Sequence, residues 1–358
     1  MSKALTKTLM VMAGGTGGHV YPAMAVADYF KSQGWKIVWL CTQGGMENRL
    51  IEGKGYDKAM INMQGVRGKG LLGWVLLPVK LATAFSQSIK ALQQHQPDVV
   101  LGMGGFAAFP GGLMAKLLGK PLVIHEQNSV AGLTNKVLAK FATRVLAAFP
   151  AAFGDKAALV GNPVRTDIAN LAAPEQRFAG REGALRLLIV GGSLGAKALN
   201  DVIPQALALL PAEKRPQVVH QAGVKHIDEL KSNYEKAGVA ADARAFIDDM
   251  ADMYAWADFV ICRAGALTVA EVSAAGIGSM MVPFPFAVDD HQTTNAAYLA
   301  EAGAAMLVQQ KELSVEKLAE ILRELSRDKC LDMARKARAL GKPEATANVA
   351  AICKEVAL

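Results

Sequence analysis

The sequence predicts an α/β protein made of two doubly wound parallel-sheet domains. Three observations carry that prediction. Short apolar runs alternate with helix-patterned runs along the whole chain, as expected for parallel strands covered by helices on both faces. A strand, a glycine loop and a helix follow one another at 9–30 and again at 185–200. The length, 358 residues, exceeds what one ordinary core fills.

LMVM (9–12) reads as the first strand. It leads through GGTGG into YPAMAVADYFKSQG, where Ala23, Val26, Ala27 and Phe30 recur at helical spacing and Gly34 marks the stop. KIVWLC (36–41), DVVLGM (98–103), PLVIHE (121–126) and TRVLAA (143–148) supply further strands. Between them, LLGWVLLPVKLATAF (71–85) places Trp74, Leu77, Leu81 and Phe85 on one helical face, flanked by Arg67, Lys69, Lys80 and Lys90. That face fits either a core helix or an amphipathic surface lying in an anionic membrane interface. Pro78 and Lys80 interrupt the stretch, which falls short of the roughly 20 apolar residues that cross a bilayer. VGNPVRTD (160–167) marks the join, because Pro163 breaks regular structure. LRLLIV (185–190) opens the second half, followed by GGSLG and a helix. Strands are then expected within QVVHQAG (217–223), DFVICRAG (258–265) and GSMMVPF (278–284). The predicted domains are 1–163 and 164–342, with a final helix at about 343–358 crossing back to the first.

With 52% hydrophobic and 20% charged residues, the chain is globular rather than disordered. A net charge of +7 suits anionic lipid or a phosphorylated substrate. The basic residues are scattered and aromatics are only 6%, so no stacking platform for nucleic acid is expected. Cys41, Cys262, Cys330 and Cys353 lie far apart, which excludes metal knuckles and CxxC chemistry. With no signal peptide ahead of the first strand, they read as reduced cytoplasmic thiols.

A glycine loop between strand and helix gathers unpaired backbone N–H groups at the positive end of the helix dipole. Its guest is a phosphate or a polar sugar, or the loop is only a tight turn. Gly15-Thr16-Gly17-Gly18-His19-Val20 puts valine where the dinucleotide fingerprint needs glycine, and GGSLG has the wrong spacing. Neither loop carries the Lys-Ser/Thr of a P-loop, so nicotinamide and ATP-hydrolysing readings fail. No Asp-x-Asp occurs, which disfavours a metal-held sugar-nucleotide diphosphate. A third strand–turn–helix, CRAGALTVAEVSAAG (262–276), has Thr268 and, three residues on, Glu271. Two readings stand: a capping box, or backbone donors for a phosphate with Glu271 accepting from a ribose diol.

Taken together, GGTGGHVYPA, HEQNSVAGLTN, GNPVRTD, GGSLGA, CRAGALTVAE and DDHQTTNA resemble the MurG family of bacterial cell-wall glycosyltransferases, in this order and over nearly the full length. That family moves N-acetylglucosamine from UDP-GlcNAc onto undecaprenyl-pyrophosphoryl-MurNAc-pentapeptide. The resemblance implies a GT-B fold of two Rossmann-like domains facing a deep cleft, no metal or other cofactor, and inversion at the anomeric carbon. It implies a lipid-linked acceptor and peripheral attachment to the cytoplasmic face of the inner membrane.

Carried across residue by residue, the resemblance sets Ser193 against the diphosphate, Arg165 near the nucleotide and the Ile247 backbone against uracil. Ala266, Leu267 and Thr268, with Val269 and Ala270 beside them, bind the donor phosphates; Glu271 takes the ribose, and Gln292 with His291 reads sugar hydroxyls. In the first domain Thr16, Gly17, Gly18, His19 and Asn128 face the acceptor and the transferring sugar. Gly14, Gly15, Gly104, Gly105 and Asn135 belong to the acceptor side. Phe106 stands where family members often carry tyrosine, so no polar role is expected of it.

The implied chemistry is displacement of UDP by the MurNAc C4 hydroxyl. His19 is the leading base, since an ordinary imidazole pKa of about 6.5 suits proton removal near neutrality. The alternatives are a phosphate contact and a place in its own helix cap. Glu126, at the end of PLVIHE, is the second candidate base, or else it orients backbone and Asn128. Asp289 and Asp290 reach a sugar hydroxyl or cap the helix near His291. A UDP-GlcNAc 2-epimerase and a non-catalytic nucleotide-sugar-binding subunit remain as competing functions.

Overall fold

The computed structural model describes residues 6–63, 77–192 and 195–358. The chain divides into two units, residues 1–165 with 343–358 and residues 166–342.

Unit 1 holds a parallel sheet in the order β3-β2-β1-β4-β5-β6-β7. Its strands are β1 (Thr8–Met12), β2 (Lys36–Thr42), β3 (Asp57–Ile61), β4 (Val99–Gly102), β5 (Leu122–Glu126), β6 (Arg144–Ala147) and β7 (Ala158–Leu159). Every residue of β1 is buried, as a strand covered on both faces requires. Helix Gly17–Ser32 buries Val20, Ala23, Val26, Ala27 and Phe30 along one stripe. On the same face of the sheet, the final helix Ala345–Val356 adds Val349, Ala350 and Cys353 to a core with Leu9, Val11 and Trp39. Helices Leu77–His95 and Ala108–Leu117 cover the other face, where Ala84, Leu92 and Ala108 meet Met10, Met12, Leu40 and Ile124. Leu77, Leu81 and Phe85 pack against this core. The described part of the 71–85 stretch is therefore a core helix, with Val79 exposed on its outer side; Trp74, Arg67 and Lys69 lie outside the described residues.

Unit 2 repeats the plan with the order β10-β9-β8-β11-β12-β13, again all parallel. The strands are β8 (Arg186–Val190), β9 (Gln217–Gln221), β10 (Asp242–Arg244), β11 (Phe259–Cys262), β12 (Gly278–Met281) and β13 (Ala305–Leu307). Leu187, Ile189, Phe259, Ile261 and Met280 form its core with Leu199, Ile203, Leu318 and Met333. In each unit the strand order reverses beside the first strand, between β1 and β4 and between β8 and β11. Such reversals open a crevice at the C-terminal strand ends, where doubly wound folds bind ligands. Both long glycine loops leave from these points.

Candidate active site

In unit 1, loops from adjacent strands close on each other. The Met103 N–H donates to Met12 O at 2.8 Å, and the buried Trp39 indole N–H donates to Ala13 O at 2.9 Å. Gly105 packs so tightly on the first loop that a Cβ there would lie 2.3 Å from Gly14 O. Gly104 has φ +93°, and a Cβ on it would lie 2.9 Å from both His19 Cε1 and Nδ1. Both positions thus require glycine. Glu47, fully buried, lies under the loop: its Oε1 accepts from Thr42 N at 2.8 Å and Thr42 Oγ1 at 2.7 Å. Gly14, Gly15, Thr16, Gly17, Gly18 and His19 therefore form one supported turn together with Gly104 and Gly105.

Thr16 is the N-cap of helix Gly17–Ser32, and its side chain makes no capping bond. The N–H groups of His19 and Val20 turn back to Thr16 O at 3.1 and 3.2 Å. Those of Gly17 and Gly18, like the first donors of any helix, have no intrahelical acceptor. The half-buried His19 ring lies 2.7 Å by its Nδ1 from Gln127 Oε1.

Glu126 is 1% exposed. Its Oε1 accepts from Asn128 N at 3.0 Å and Asn128 Nδ2 at 3.3 Å; its Oε2 accepts from Gly132 N at 3.0 Å and Asn135 Nδ2 at 2.9 Å. One carboxylate thus ties together the loop from Asn128 to Asn135. Both oxygens are engaged, which suits a clamp better than a base awaiting a proton.

In unit 2, Gly191, Gly192, Gly195 and Ala196 join β8 to helix Lys197–Ala208. Gly195 has φ +79°, and a Cβ there would lie 2.0 Å from Ala222 O, so backbone passes over backbone. Ser193 lies outside the described residues. Across the switch point, Gly265 caps helix Ala266–Ala275. This removes the capping-box reading: Thr268 is already in the first turn, and Gly265 supplies the cap with no side-chain bond. The Ala266, Leu267 and Thr268 N–H groups precede the first intrahelical donor and have no acceptor within the helix. Val269 N donates to Gly265 O at 3.0 Å, so Val269 brings no spare backbone donor, and Ala270 lies deeper in the helical ladder. Glu271 is 7% exposed and accepts from Tyr254 OH at 3.2 Å. Ile247 is buried just ahead of helix Met250–Trp256, which carries Tyr254.

Gln292 lies in the first turn of helix His291–Ala300, its Oε1 accepting from Phe284 N at 2.9 Å. Asp289 and Asp290 both have left-handed backbones, φ 53° and 47°, a costly state for residues other than glycine. Asp290 occupies the N-cap position, but its Oδ1 accepts from Thr293 Oγ1 at 2.7 Å instead of capping a backbone N–H. Arg165 is half-buried at the last position of unit 1 before the chain enters unit 2.

Four side chains escaped the sequence reading: Gln127, Glu47, Tyr254 and Arg263. Arg263 donates to Val282 O at 3.1 Å, Pro283 O at 3.2 Å and Gln310 Oε1 at 2.7 Å, holding the segment that leads to Gln292. Burial lowers its pKa. Only Gln127 had a signal, its place between Glu126 and Asn128.

Each unit is a doubly wound parallel sheet with glycine loops at its switch point, the place where such folds bind nucleotide ligands. Residues 9–147 match the glycosyltransferase family 28 N-terminal domain, and residues 186–351 its C-terminal domain. The UDP-N-acetylglucosamine--N-acetylmuramyl-(pentapeptide) pyrophosphoryl-undecaprenol N-acetylglucosamine transferase of Cupriavidus metallidurans is 59% identical over 98% of both chains. That of Thiobacillus denitrificans is 57% identical over 99% of both. The crystal structure of Acinetobacter baumannii MurG superposes with a TM-score of 0.86 at 42% identity, covering 98% of this chain and 99% of that one. The chain belongs to glycosyltransferase family 28 and, within it, to the MurG family.

Proposed function

We propose that the protein transfers N-acetylglucosamine from UDP-GlcNAc to the C4 hydroxyl of MurNAc in undecaprenyl-pyrophosphoryl-MurNAc-pentapeptide, the lipid I to lipid II step of peptidoglycan synthesis. The observation that carries this reading is the full-length likeness to transferases named for that reaction. The helix starts at both switch points supply the means.

In unit 2 the N–H groups of Ala266, Leu267 and Thr268 receive the donor diphosphate, with Ser193 and the glycine loop after β8 beside it. Oriented N–H dipoles stabilise charge as it grows on the leaving group, so no metal is required. Glu271, steadied by Tyr254, accepts from the ribose diol; Ile247 meets uracil by its backbone, Arg165 lies near the nucleotide, and Gln292 reads the sugar. Val269 and Ala270 contribute helix packing rather than donors.

In unit 1 the acceptor rests on the loops of Gly14 to Gly18 and Gly104 to Gly105, with Asn128. His19 takes the C4 hydroxyl proton as the new O–C1 bond forms. The C1–O bond to the diphosphate breaks, and UDP leaves with the electron pair on the opposite face, which inverts the anomeric carbon. Glu126 and Asn135 position the loop that carries Asn128.

Among the described residues no helix is long and apolar enough to cross a membrane. We infer attachment of unit 1 to the cytoplasmic face of the inner membrane. The exposed Val79, Leu117 and Leu133, with Lys80, Lys116 and Lys136 near them in sequence, support this. The test is incubation with labelled UDP-GlcNAc and a short-chain lipid acceptor. Labelled disaccharide on the lipid is expected; free epimer, or binding without turnover, contradicts the assignment.

A further inference from the structure

We propose that Gln127 is a positioning residue that fixes the tautomer of His19, holding a proton on Nδ1 and leaving Nε2 bare to receive the acceptor proton. This deepens the reading above and rests on it for its consequence in catalysis, though not for its geometry.

The orientation of the Gln127 amide follows from its neighbours. Its Nε2 lies 3.0 Å from His125 O and 3.9 Å from Met103 Sδ. A backbone carbonyl only accepts, so the NH2 group must face it. That leaves Oε1 facing His19 Nδ1 at 2.7 Å. An amide oxygen only accepts, so His19 Nδ1 must carry the hydrogen. In the neutral ring Nε2 is then the lone-pair nitrogen.

A second histidine stands behind the amide. Gln127 Nε2 also lies 3.1 Å from His125 Nδ1, and His125 Nε2 lies 2.8 Å from Gly161 O. The carbonyl of Gly161 requires a proton on His125 Nε2, which leaves Nδ1 to accept from the amide. Each assignment agrees with the next along Gly161 O, His125, Gln127 and His19. Burial pushes the pKa of His125, 0% exposed, down to about 4, so it stays neutral and keeps that pattern. Gly104 also packs on the His19 ring, where even a methyl group would collide with Cε1 and Nδ1. Gln127 itself is 1% exposed and is placed to hold His19 without reaching solvent.

A free neutral imidazole exchanges between its two tautomers, and one of them presents an N–H where the base must have a lone pair. A wrong tautomer at such a position costs up to about 10⁴ in rate in the serine-protease triad. The direct test is long-range ¹H–¹⁵N correlation on ¹⁵N-histidine-labelled protein at about pH 8, where an ordinary imidazole is neutral. Wild type is expected to show His19 as the Nδ1–H tautomer, and Gln127→Met to shift it toward Nε2–H. In turnover, Gln127→Met should lower kcat about tenfold or more with the KM for UDP-GlcNAc within about twofold. On a His19→Ala background the same substitution should cost nothing further.

An Nε2–H His19 in the wild type overturns the inference, and so does a Gln127→Met penalty undiminished without His19. If His19→Ala keeps the wild-type rate, proton removal by His19 fails. The NMR result then still decides whether Gln127 sets the tautomer.

Discussion

At the scale of single residues, two carboxylates of like burial behave differently because their partners differ. Glu126 accepts four hydrogen bonds from its own loop, so removing it strands buried donors. Glu126→Ala should destabilise the protein by about 2 kcal/mol or more, with loss of rate tracking loss of Tm. A base would instead give Glu126→Gln with native Tm and little turnover, and thermal melts beside rate measurements separate the two. Glu271 accepts from the Tyr254 hydroxyl at 3.2 Å and is proposed above as the acceptor for the ribose diol. Glu271→Ala should weaken UDP-GlcNAc binding about tenfold or more, read by calorimetry; unchanged affinity would return Glu271 to a packing role. Spacing brought Glu271 forward from the sequence, while His19 and Glu126 came forward once the family resemblance supplied the reaction. Gln127 carried only its place between Glu126 and Asn128 as a signal, and that gives it no role. Its role exists only because β5 and the loop after β1 set it between two histidines far apart in sequence.

At the scale of elements, the glycine loops were legible because few other residues permit their backbone, and the interior strands because their runs are continuously apolar. Four strands were missed: β3, β7, β10 and β13. DKAMI of β3 buries only two of its five positions, and Ala158–Leu159 of β7 is exposed throughout. Strands near a sheet edge lose the two-sided covering that writes apolar runs into sequence. The capping-box reading failed for a related reason, since Thr and Glu three apart fit both a helix start and a helix interior, and Gly265 took the cap. The close crossing at Gly195 gives an element-level prediction. Gly195→Ala puts a methyl 2.0 Å from Ala222 O at φ +79°, so it should destabilise unit 2 by more than about 1 kcal/mol and lower donor affinity. A stability unchanged in urea titration would remove the close crossing.

At the scale of the whole molecule, each unit holds a fully buried neutral histidine, His125 in the first and His220 in the second. Burial lowers their pKa values to about 4 and about 3, against about 6.5 for an ordinary imidazole. Between those limits the unfolded chain binds more protons than the folded one. Their contribution to stability is therefore complete above about pH 6.5 and is lost as pH falls, by up to about 1.4 kcal/mol per pH unit for each. Denaturant titrations across pH 4–7 check this, and a flat profile contradicts it. The four cysteines are buried, with thiol pKa values pushed up to about 12 by burial, so they should resist a thiol reagent until the chain unfolds. The central claim is that backbone N–H groups at helix starts carry the charge of the departing diphosphate without an ion. Its most direct measurement is the rate of disaccharide formation from UDP-GlcNAc after exhaustive chelation. The account predicts an unchanged rate; turnover abolished by the chelator and restored by a divalent cation would contradict it.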